Sequence, residues 1–333
     1  MYKVLIPKTI SNTGVEYLLE KGCEVIIGAP SSPDDPRLED CDAILPGGKS
    51  RIKYDKDVLD RCRNCKIIAN FSAGYEHVDA VYAEQAGIYV TNAGTANSNA
   101  VAEHTLFLLL ACAKNHEIMS KAAYTGSFSI RATVFNLELQ GMTLGIIGFG
   151  NIGQRVAKKA VHGLGMKVLV YSPSLTKEQL PEGVQLAADK DEIYRIADFI
   201  SLHVPLTEET MHMVSKEQFD MMKPSAYIIN VSRGGIIKEE DLITAIEEKK
   251  ISGAGLDVFE QEPLPVDSPL FRYENIIISP HCAANTVQAL ENMELYAAKD
   301  IWRVLNGEEP EFPVNHPEKN RMQGKPDRRI SND

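Results

Sequence analysis

The stretch that decides the fold is Leu144-Gly145-Ile146-Ile147-Gly148-Phe149-Gly150-Asn151-Ile152-Gly153. It joins an apolar run of strand length to a helical pattern, and in that setting each glycine has a mechanical use. Gly148 permits a tight turn, Gly150 lets a pyrophosphate approach the backbone, and Gly153 lets the helix pack close to the strand. The helix N-terminus adds N–H groups and a partial positive charge. The stretch therefore predicts a dinucleotide-binding turn.

Apolar runs of strand length recur on both sides of this turn, and helical patterns fill the gaps between them. Most runs are continuously apolar, as the buried strands of a parallel sheet are. Their alternation with helices predicts an α/β fold with two doubly wound parallel sheets. The first series is 3–7, 24–28, 43–46, 67–71 and 88–91, and the second is 143–148, 167–171, 184–186, 198–203, 226–230, 253–257 and 275–279.

Two long helical stretches mark the join between the two series. One runs from Ser98 to about Ile118, and the other, 286–305, follows the last strand of the second series. The simplest arrangement inserts a second domain, residues 98–286, into a first domain made of residues 1–97 plus 287–333. Two domains in tandem are the alternative. The polar tail after about Pro317 is expected to be poorly ordered.

Length and charge exclude several classes of function. A chain of 333 residues suits two domains, and its net charge of −11 disfavours nucleic acid and anionic membranes as partners. No apolar run approaches the roughly 18–20 residues of a membrane helix, and the N-terminus lacks a signal-peptide layout. We expect a soluble, cytoplasmic protein.

The six cysteines are scattered over the chain, which argues against a disulfide framework. Cys62 and Cys65 form a lone CxxC with no second pair of Cys or His nearby to complete a zinc site. Ordinary thiols in a reducing cytosol are the better interpretation, and no metal ligand is predicted. A metal or redox role for this pair is the alternative.

The residue after the second strand of the dinucleotide-binding domain bears on the choice of cofactor. An acidic residue is usual there, where it binds the ribose hydroxyls, but this strand ends in Tyr171-Ser172. Without a carboxylate, nothing repels a 2′-phosphate, and Ser174, Thr176 and Lys177 could help to hold one. No Arg, the usual bidentate phosphate partner, lies in this loop. NAD and NADP both stay open.

Three ionisable residues, Arg233, Glu262 and His281, each follow the carboxyl end of a strand, where doubly wound sheets place ligands. Singly, each could be a solvated loop residue; together they point to chemistry. Arg offers a planar fork to a carboxylate, His gives and takes a proton, and a carboxylate beside an imidazole favours its acid form. This set suits hydride exchange between a nicotinamide and a 2-oxo acid. Asp257 either contacts the nicotinamide or serves as a turn residue.

Motifs along about residues 3 to 315 resemble those of the D-isomer-specific 2-hydroxyacid dehydrogenase family. The resemblance implies a Rossmann cofactor domain inserted into a flavodoxin-like substrate domain, a cleft that closes on binding, and a homodimer built through the cofactor domain. The motifs are Phe71-Ser72-Ala73-Gly74-Tyr75-Glu76-His77-Val78-Asp79, Asn99-Ala100-Val101-Ala102-Glu103-His104, 144–153, His203-Val204-Pro205-Leu206-Thr207, Asn230-Val231-Ser232-Arg233-Gly234-Gly235, 256–265 and Ser279-Pro280-His281.

The resemblance also implies residue roles. Arg233 would bind the substrate carboxylate, and Glu262 would orient His281, the acid/base. The substrate would contact Arg233, His281, Ser72 and, through backbone N–H groups, Ala73 and Gly74. The residues expected to bind the cofactor are Val101, Gly148, Gly150, Asn151, Ile152, Gly153, Ser172, His203, Pro205, Thr210, Val231, Ser232, Arg233, Asp257, His281 and Ala283.

The identity of the 2-oxo acid stays open. The loop Ser72-Ala73-Gly74-Tyr75 looks most like the glyoxylate and hydroxypyruvate reductase branch. Phosphoglycerate dehydrogenases are similar there, so 3-phosphohydroxypyruvate is an alternative. Lys49, Arg51 and Lys53 either recruit a charged side chain of the substrate or form a solvated turn. A different class, an NAD(H)-sensing regulatory module with incidental turnover, is the other alternative.

Overall fold

The computed structural model describes residues 1–7, 11–28, 30, 32–47 and 52–318. The chain divides into two compact units, one of residues 1–97 with the chain from Thr286 onward and one of residues 98–285. The sequence analysis placed Thr286 in the second unit. It belongs to the first because its side chain caps the helix Val287–Leu305, where its hydroxyl accepts the N–H of Ala289 at 3.1 Å.

The first unit is built on a five-stranded parallel sheet. Its elements are β1 (Lys3–Ile6), α1 (Thr13–Glu20), β2 (Glu24–Ile27), α2 (Arg37–Asp40), β3 (Ala43–Ile44), α3 (Lys56–Arg61), β4 (Ile67–Ala69), α4 (Ala80–Gln85), β5 (Tyr89–Thr91) and, after the second unit, α11 (Val287–Leu305). The strand order β2-β1-β3-β4-β5 is the flavodoxin-like one. The order in which strands are added reverses at β1, because β2 pairs with one edge of β1 and β3 pairs with the other.

Helix α11 closes one face of this sheet. Ala297, Ala298 and Ile301 are fully buried in one apolar cluster with Val4 and Ile6 of β1. The chain then returns to β5, where Asn315 is buried. Most of the tail after Pro317 lies outside the described residues.

The second unit is built on a seven-stranded parallel sheet in the order β12-β11-β10-β9-β6-β7-β8. Its elements are α5 (Ser98–Ala113), α6 (His116–Tyr124), β6 (Thr143–Ile147), α7 (Asn151–Leu164), β7 (Lys167–Tyr171), β8 (Val184–Leu186), α8 (Lys190–Ile196), β9 (Phe199–Leu202), α9 (Lys216–Met221), β10 (Tyr227–Asn230), α10 (Glu239–Glu247), β11 (Gly253–Leu256) and β12 (Ile276–Ile278). Short 3₁₀ turns cover Phe128–Ala132, Lys177–Gln179, Gly234–Ile236 and Pro269–Arg272.

The predicted fold class is confirmed. Each of the twelve apolar runs contains one strand, and every strand pairing in the two sheets is parallel. The central strands β9 and β10 are buried at every position, which explains why their sequences are apolar without alternation. Within the described part of the chain, no helix is both long and apolar enough to cross a membrane.

One predicted helix is wrong. The run from Ser98 to about Ile118 was expected to form a single helix, but α5 ends at Ala113 and α6 begins at His116. Between them Asn115 adopts a left-handed conformation with φ 48°. Asn tolerates this region better than most residues, so the apolar periodicity continues across a break in the backbone.

The order of the strands positions the site. β7 and β8 are added on one side of β6, and β9 to β12 are added on the other side. Doubly wound parallel sheets bind ligands in the crevice at this switch point, between β6 and β9. Gly148 follows β6 directly, and His203 follows β9. Apolar clusters cover both faces of the sheet, which fixes these two strand ends in place.

Candidate active site

The glycine turn after β6 is shaped for a ligand. A Cβ atom on Gly148, which has φ 95°, would lie 2.3 Å from the carbonyl oxygen of His203. A Cβ atom on Gly153 would lie 2.3 Å from the oxygen of Gly148, so the start of α7 packs directly on the turn. On Gly150, by contrast, a Cβ atom would meet nothing within 4 Å. The open space therefore lies at the N-cap of α7.

That N-cap suits a phosphate. Gly150 is the N-cap residue of the 14-residue helix α7, and no described side chain caps it. The first N–H groups of a helix have no partner inside the helix, and the helix dipole favours an anion beside them. The residues present thus fit the pyrophosphate of a dinucleotide.

His203, at the end of β9, is a second indication of a ligand site. Burial lowers the pKa of His203 to about 3, so the ring is neutral at physiological pH. His203 Nε2 lies 2.8 Å from Ser201 Oγ, whereas its buried Nδ1 has no hydrogen-bond partner within the described residues. A buried polar atom without a partner, next to the glycine turn, is consistent with a ligand that completes the site.

The apolar residues predicted to line the cofactor lie together. Val101 at the start of α5, Val231 after β10 and Ala283 after β12 are buried in one cluster, and the half-buried Ile152 packs against it. Pro205 is exposed on the loop after β9. Ser172 is half-buried at the end of β7, where its carbonyl oxygen accepts the N–H of Leu175.

Two residues predicted to bind the cofactor donate their hydroxyl protons to other groups of the protein. Thr210 Oγ1 donates to the carbonyl oxygen of Pro205 at 2.6 Å and so closes the loop after β9. Ser232 Oγ donates to Asn230 Oδ1 at 2.8 Å. Both side chains therefore shape loops at the site, with their hydroxyl protons already engaged.

His281 and Glu262 are brought together. His281 Nδ1 lies 2.6 Å from Glu262 Oε2, and Glu262 Oε1 accepts the N–H of Phe259 at 3.1 Å. The side chains stay 48% and 35% exposed, respectively. A carboxylate held by the backbone thus fixes one ring nitrogen of a histidine whose other face is accessible.

Arg233 lies on the neighbouring loop after β10. Its Nη1 donates to the carbonyl oxygen of Ser232 at 2.8 Å, and its own carbonyl oxygen accepts from Asn230 Nδ2 at 2.9 Å. This loop touches the loop of Glu262, because a Cβ atom on Gly234 would lie 1.9 Å from the carbonyl carbon of Phe259. The two loops are therefore packed backbone to backbone.

Asp257 does not present a free carboxylate. It is fully buried, and both its oxygens accept bonds from the loop that carries His281. Oδ1 accepts from Ser279 Oγ at 2.6 Å and from the N–H of Cys282 at 2.9 Å, and Oδ2 accepts from the N–H of Ala283 at 2.8 Å. These contacts show that Asp257 organises the histidine loop.

The predicted substrate loop lies in the first unit. Ser72 Oγ donates to the carbonyl oxygen of Gly74 at 2.7 Å, and the carbonyl oxygen of Ala73 accepts from Asn92 Nδ2 at 3.2 Å. The N–H groups of Ala73 and Gly74 have no acceptor within the described part of the chain, as anion-binding donors require. Lys53 is exposed. Lys49 and Arg51 lie outside the described residues.

Comparison with known proteins agrees with this geometry. Residues 106–283 match the family model described as "D-isomer specific 2-hydroxyacid dehydrogenase, NAD binding domain". A glyoxylate reductase of Thermofilum pendens is 35% identical over 324 residues, which cover 94% of each chain. The chain belongs to the D-isomer specific 2-hydroxyacid dehydrogenase family.

Other relatives extend the match. A D-3-phosphoglycerate dehydrogenase of Methanocaldococcus jannaschii is 38% identical over 95% of this chain, but the chain spans only 60% of that relative's length. The crystal structure of the TT0316 protein from Thermus thermophilus superposes with a TM-score of 0.83 at 35% identity, covering 94% of this chain and 99% of that one. The two-unit fold is thus shared over nearly the full length of a solved structure.

For a family member, the structure adds site residues to which the sequence analysis assigned no role. Asn230 shapes the loop of Arg233, and Gly234 packs that loop on its neighbour. Ser279 bonds to Asp257, and His104 reaches the same hydroxyl from α5, with Nε2 2.8 Å from Ser279 Oγ. A histidine within a largely apolar helix was the available signal for His104; its partner is 175 residues away and could not be read from the sequence.

One group in the described chain has the residue types of a metal site. Ligand atoms of His104, Asp257 and Cys282 lie within 4.8 Å of one another. The carboxylate already accepts three hydrogen bonds, and the histidine bonds to Ser279. The carboxylate of Asp257 and Nε2 of His104 are therefore already engaged within the protein.

Proposed function

We propose that this chain is a nicotinamide-dependent D-2-hydroxyacid dehydrogenase that interconverts a small 2-oxo acid and its 2-hydroxy acid. The observation that carries the proposal is the 2.6 Å contact between His281 Nδ1 and Glu262 Oε2, at the carboxyl edge of the sheet that holds the dinucleotide-binding turn. A carboxylate–imidazole pair in that place is the arrangement that acid/base catalysis needs.

Glu262 determines which ring atom of His281 reacts. Because the carboxylate accepts a hydrogen bond from Nδ1, the proton exchanged with substrate is carried on Nε2. During reduction Nε2–H gives its proton to the carbonyl oxygen, and during oxidation Nε2 takes the proton of the hydroxyl group. When bound, the reduced nicotinamide supplies the hydride for the carbonyl carbon.

Arg233 binds the substrate carboxylate. The guanidinium offers two parallel N–H donors, which fix the plane of the carboxylate and thereby the direction of the carbonyl group. In the first unit, the N–H groups of Ala73 and Gly74 are proposed separately as neutral donors to an anion. Holding the substrate by its charged end leaves the 2-oxo group free to meet His281.

The favoured substrates are glyoxylate and hydroxypyruvate. The glyoxylate reductase that matches over 94% of both chains supports this choice. A second candidate is 3-phosphohydroxypyruvate, because the phosphoglycerate dehydrogenase has the higher identity of 38%. A regulatory NAD(H)-binding module is the third, and it would bind cofactor tightly with slow turnover.

The cofactor site discriminates weakly between NADH and NADPH. Ser172 offers a hydroxyl where a carboxylate would repel a 2′-phosphate, and the loop after it provides Lys177 as its cation. We therefore assign both nucleotides to the site. We also propose that the enzyme is cytoplasmic, because its scattered cysteines suit a reducing compartment.

The active form is a homodimer built through the second unit. Phe107, Phe128 and Phe135 are 49%, 65% and 76% exposed there, and an open groove of about 1050 Å³ is lined by Leu106, Phe107 and Leu110. Exposed aromatic side chains, and a groove lined in part by Leu and Phe, are features typical of a protein interface. Sedimentation of the Phe128→Asp and Phe135→Asp double variant tests this: it should give monomers, and an unchanged mass would place the interface elsewhere.

The test of function is oxidation of NADH and NADPH, in parallel, with glyoxylate, hydroxypyruvate, pyruvate, 2-oxoisocaproate and 3-phosphohydroxypyruvate. Fast turnover with either of the first two supports the proposal, and preference for the phosphorylated acid selects the second candidate. Tight cofactor binding without turnover on any of the five contradicts a dehydrogenase and selects the regulatory module.

A further inference from the structure

The backbone at His281 is held in an unfavourable conformation. Its φ is 49°, in the left-handed region that residues other than glycine adopt only uncommonly. Such a conformation persists only where the surroundings over-determine it. Glu262 contacts His281 only at the imidazole ring. The main-chain N–H of His281 donates to the carbonyl oxygen of Ser279 at 3.0 Å, so the position of Ser279 bears on the backbone of His281.

Asp257 bridges the two sides of this strained residue. Its carboxylate accepts from Ser279 Oγ, two positions before His281, and from the N–H groups of Cys282 and Ala283, the next two positions. The bonds after His281 come from the backbone and survive any substitution there. Before His281, the bond to Asp257 depends on the hydroxyl group of Ser279, whose backbone N–H also donates to the carbonyl oxygen of Leu256 at 2.9 Å.

The donors in this network can be assigned. A serine hydroxyl has one proton, and a carboxylate offers only acceptors, so Ser279 Oγ–H points to Asp257 Oδ1. The other partner of Ser279 Oγ is His104 Nε2 at 2.8 Å, and it must then be a donor. Nε2 is also 3.5 Å from Asp257 Oδ1, so the histidine faces both members of the pair.

Burial keeps His104 in the required state. It lowers the pKa of His104, and the nearby charge of Asp257 opposes this shift only in part. The ring is therefore neutral at physiological pH, with its single proton on Nε2. A neutral donor directs the hydroxyl of Ser279 without cancelling the negative charge of Asp257.

We propose that Ser279 and His104 are positioning residues for His281, with the Nε2–H of His104 orienting the hydroxyl that ties the start of the histidine loop to Asp257. Among the described residues, the side chains of Ser279 and His104 bond to each other and to Asp257, whereas the ring of His281 bonds to Glu262. The inference rests on the proposed function, since it assigns a purpose to the strain at the acid/base residue. Losing the hydroxyl should let His281 relax from its left-handed backbone and move Nε2 away from the substrate oxygen.

The kinetic test compares Ser279→Ala and His104→Leu with the conservative variants Ser279→Thr and His104→Gln. The first two should lower kcat about tenfold, because small misplacement of a catalytic group is costly, with the KM for the 2-oxo acid changed less than about twofold. Threonine keeps the hydroxyl, and the glutamine amide keeps a donor near the position of Nε2, so both should restore most of kcat.

Matched controls separate positioning from loss of packing. Ser268→Ala removes another buried hydroxyl of the same unit, and Thr105→Val removes the buried hydroxyl next to His104 on α5. Both should leave kcat at the wild-type value. If Ser279→Ala and His104→Leu stay within twofold of wild type, or fall no further than these controls, the proposal is overturned.

A spectroscopic measurement keeps the result independent of turnover. Nitrogen-15 labelling of the eight histidines reports ring protonation, and loss of a signal in His104→Leu or His281→Ala assigns it. His104 should show an Nε2–H, and the His281 signal should shift in Ser279→Ala but not in Ser268→Ala. An inactive wild type would defeat the proposed function alone. If the His281 signal does not shift in Ser279→Ala, or if His104 carries its proton on Nδ1, the positioning role is contradicted.

Discussion

Gly234 lies against Phe259 with no room for a side chain: a Cβ atom on the glycine would be 1.9 Å from both the carbonyl carbon and the carbonyl oxygen of Phe259. The contact joins the loop of Arg233 to the loop whose backbone N–H holds Glu262. A group proposed to bind substrate and a group proposed to orient the acid/base are therefore placed by one close approach of two backbones.

Replacing Gly234 with alanine should disturb both groups at once. The overlap is with main-chain atoms, which cannot swing aside, so the loops must separate at a cost of about 1–3 kcal/mol. We expect a lower melting temperature and a kcat/KM reduced at least tenfold. Gly235→Ala is the matched control, because the atoms nearest to its Cβ would be the flexible ends of Met211 and Leu206, at 3.3–3.4 Å. Equal effects of the two variants would contradict this explanation.

His281→Ala should remove the proton donor while leaving cofactor binding nearly intact. General acid–base catalysis contributes about 10²–10⁴-fold, so kcat should fall by that factor. Cofactor affinity, followed by the fluorescence of the reduced nicotinamide, should stay within a few-fold of wild type. His316→Ala, at an exposed position of the first unit, controls for loss of an imidazole. Wild-type turnover of His281→Ala would remove this residue from the mechanism.

Arg233→Ala should affect binding and rate together, because the guanidinium both attracts the carboxylate and sets the direction of the carbonyl group. We expect a higher KM for the 2-oxo acid and a kcat/KM lowered by about 10²-fold or more. Arg233→Lys keeps the charge without the planar fork and should recover affinity more than rate. A change in KM alone would mean that Arg233 supplies only uniform binding. Arg195→Ala, on the exposed part of α8, serves as the charge control.

Ser172→Asp should shift the preference toward NADH. A carboxylate at this strand end accepts from the ribose hydroxyls and repels a 2′-phosphate, so the ratio of kcat/KM for NADH to that for NADPH should rise about tenfold or more. Gln185→Glu adds one negative charge at an exposed position of the neighbouring strand β8 and should leave the ratio unchanged. An unaltered ratio in Ser172→Asp would show that residue 172 does not face the ribose.

Asn315→Ala should destabilise the first unit. The buried amide accepts from the N–H of Val90 at 2.7 Å and donates to the carbonyl oxygens of Ile88 and Ala80 at 3.0 and 3.1 Å. Removing it leaves buried backbone groups unsatisfied, at a cost of about 2–4 kcal/mol. Urea unfolding measures the loss, and Asn306→Ala, with one exposed side-chain hydrogen bond, should cost less than about 0.5 kcal/mol. Similar midpoints for both variants would contradict the role of burial.

The sequence determined the strands and the cofactor turn. Apolar runs identified the twelve strands of the described chain because strands buried on both faces need no polar positions, and that information is local. The spacing of Gly148, Gly150 and Gly153 likewise reports a strand–turn–helix joint within ten residues. Local periodicity was less reliable at Asn115, where apolar residues continue on both sides of a left-handed break that only the backbone reveals.

Only the tertiary structure decided how the strand ends meet. The strand orders of the two sheets, the approach of Gly234 to Phe259 and the bond of His104 to Ser279 join residues far apart in the chain. The sequence analysis allowed Asp257 to contact a cofactor or to serve as a turn residue, and the structure shows its carboxylate engaged by the histidine loop. The physical reason is that a strand's apolar pattern is written in adjacent residues. A hydrogen bond between distant residues depends instead on how the crossover connections place the two strand ends.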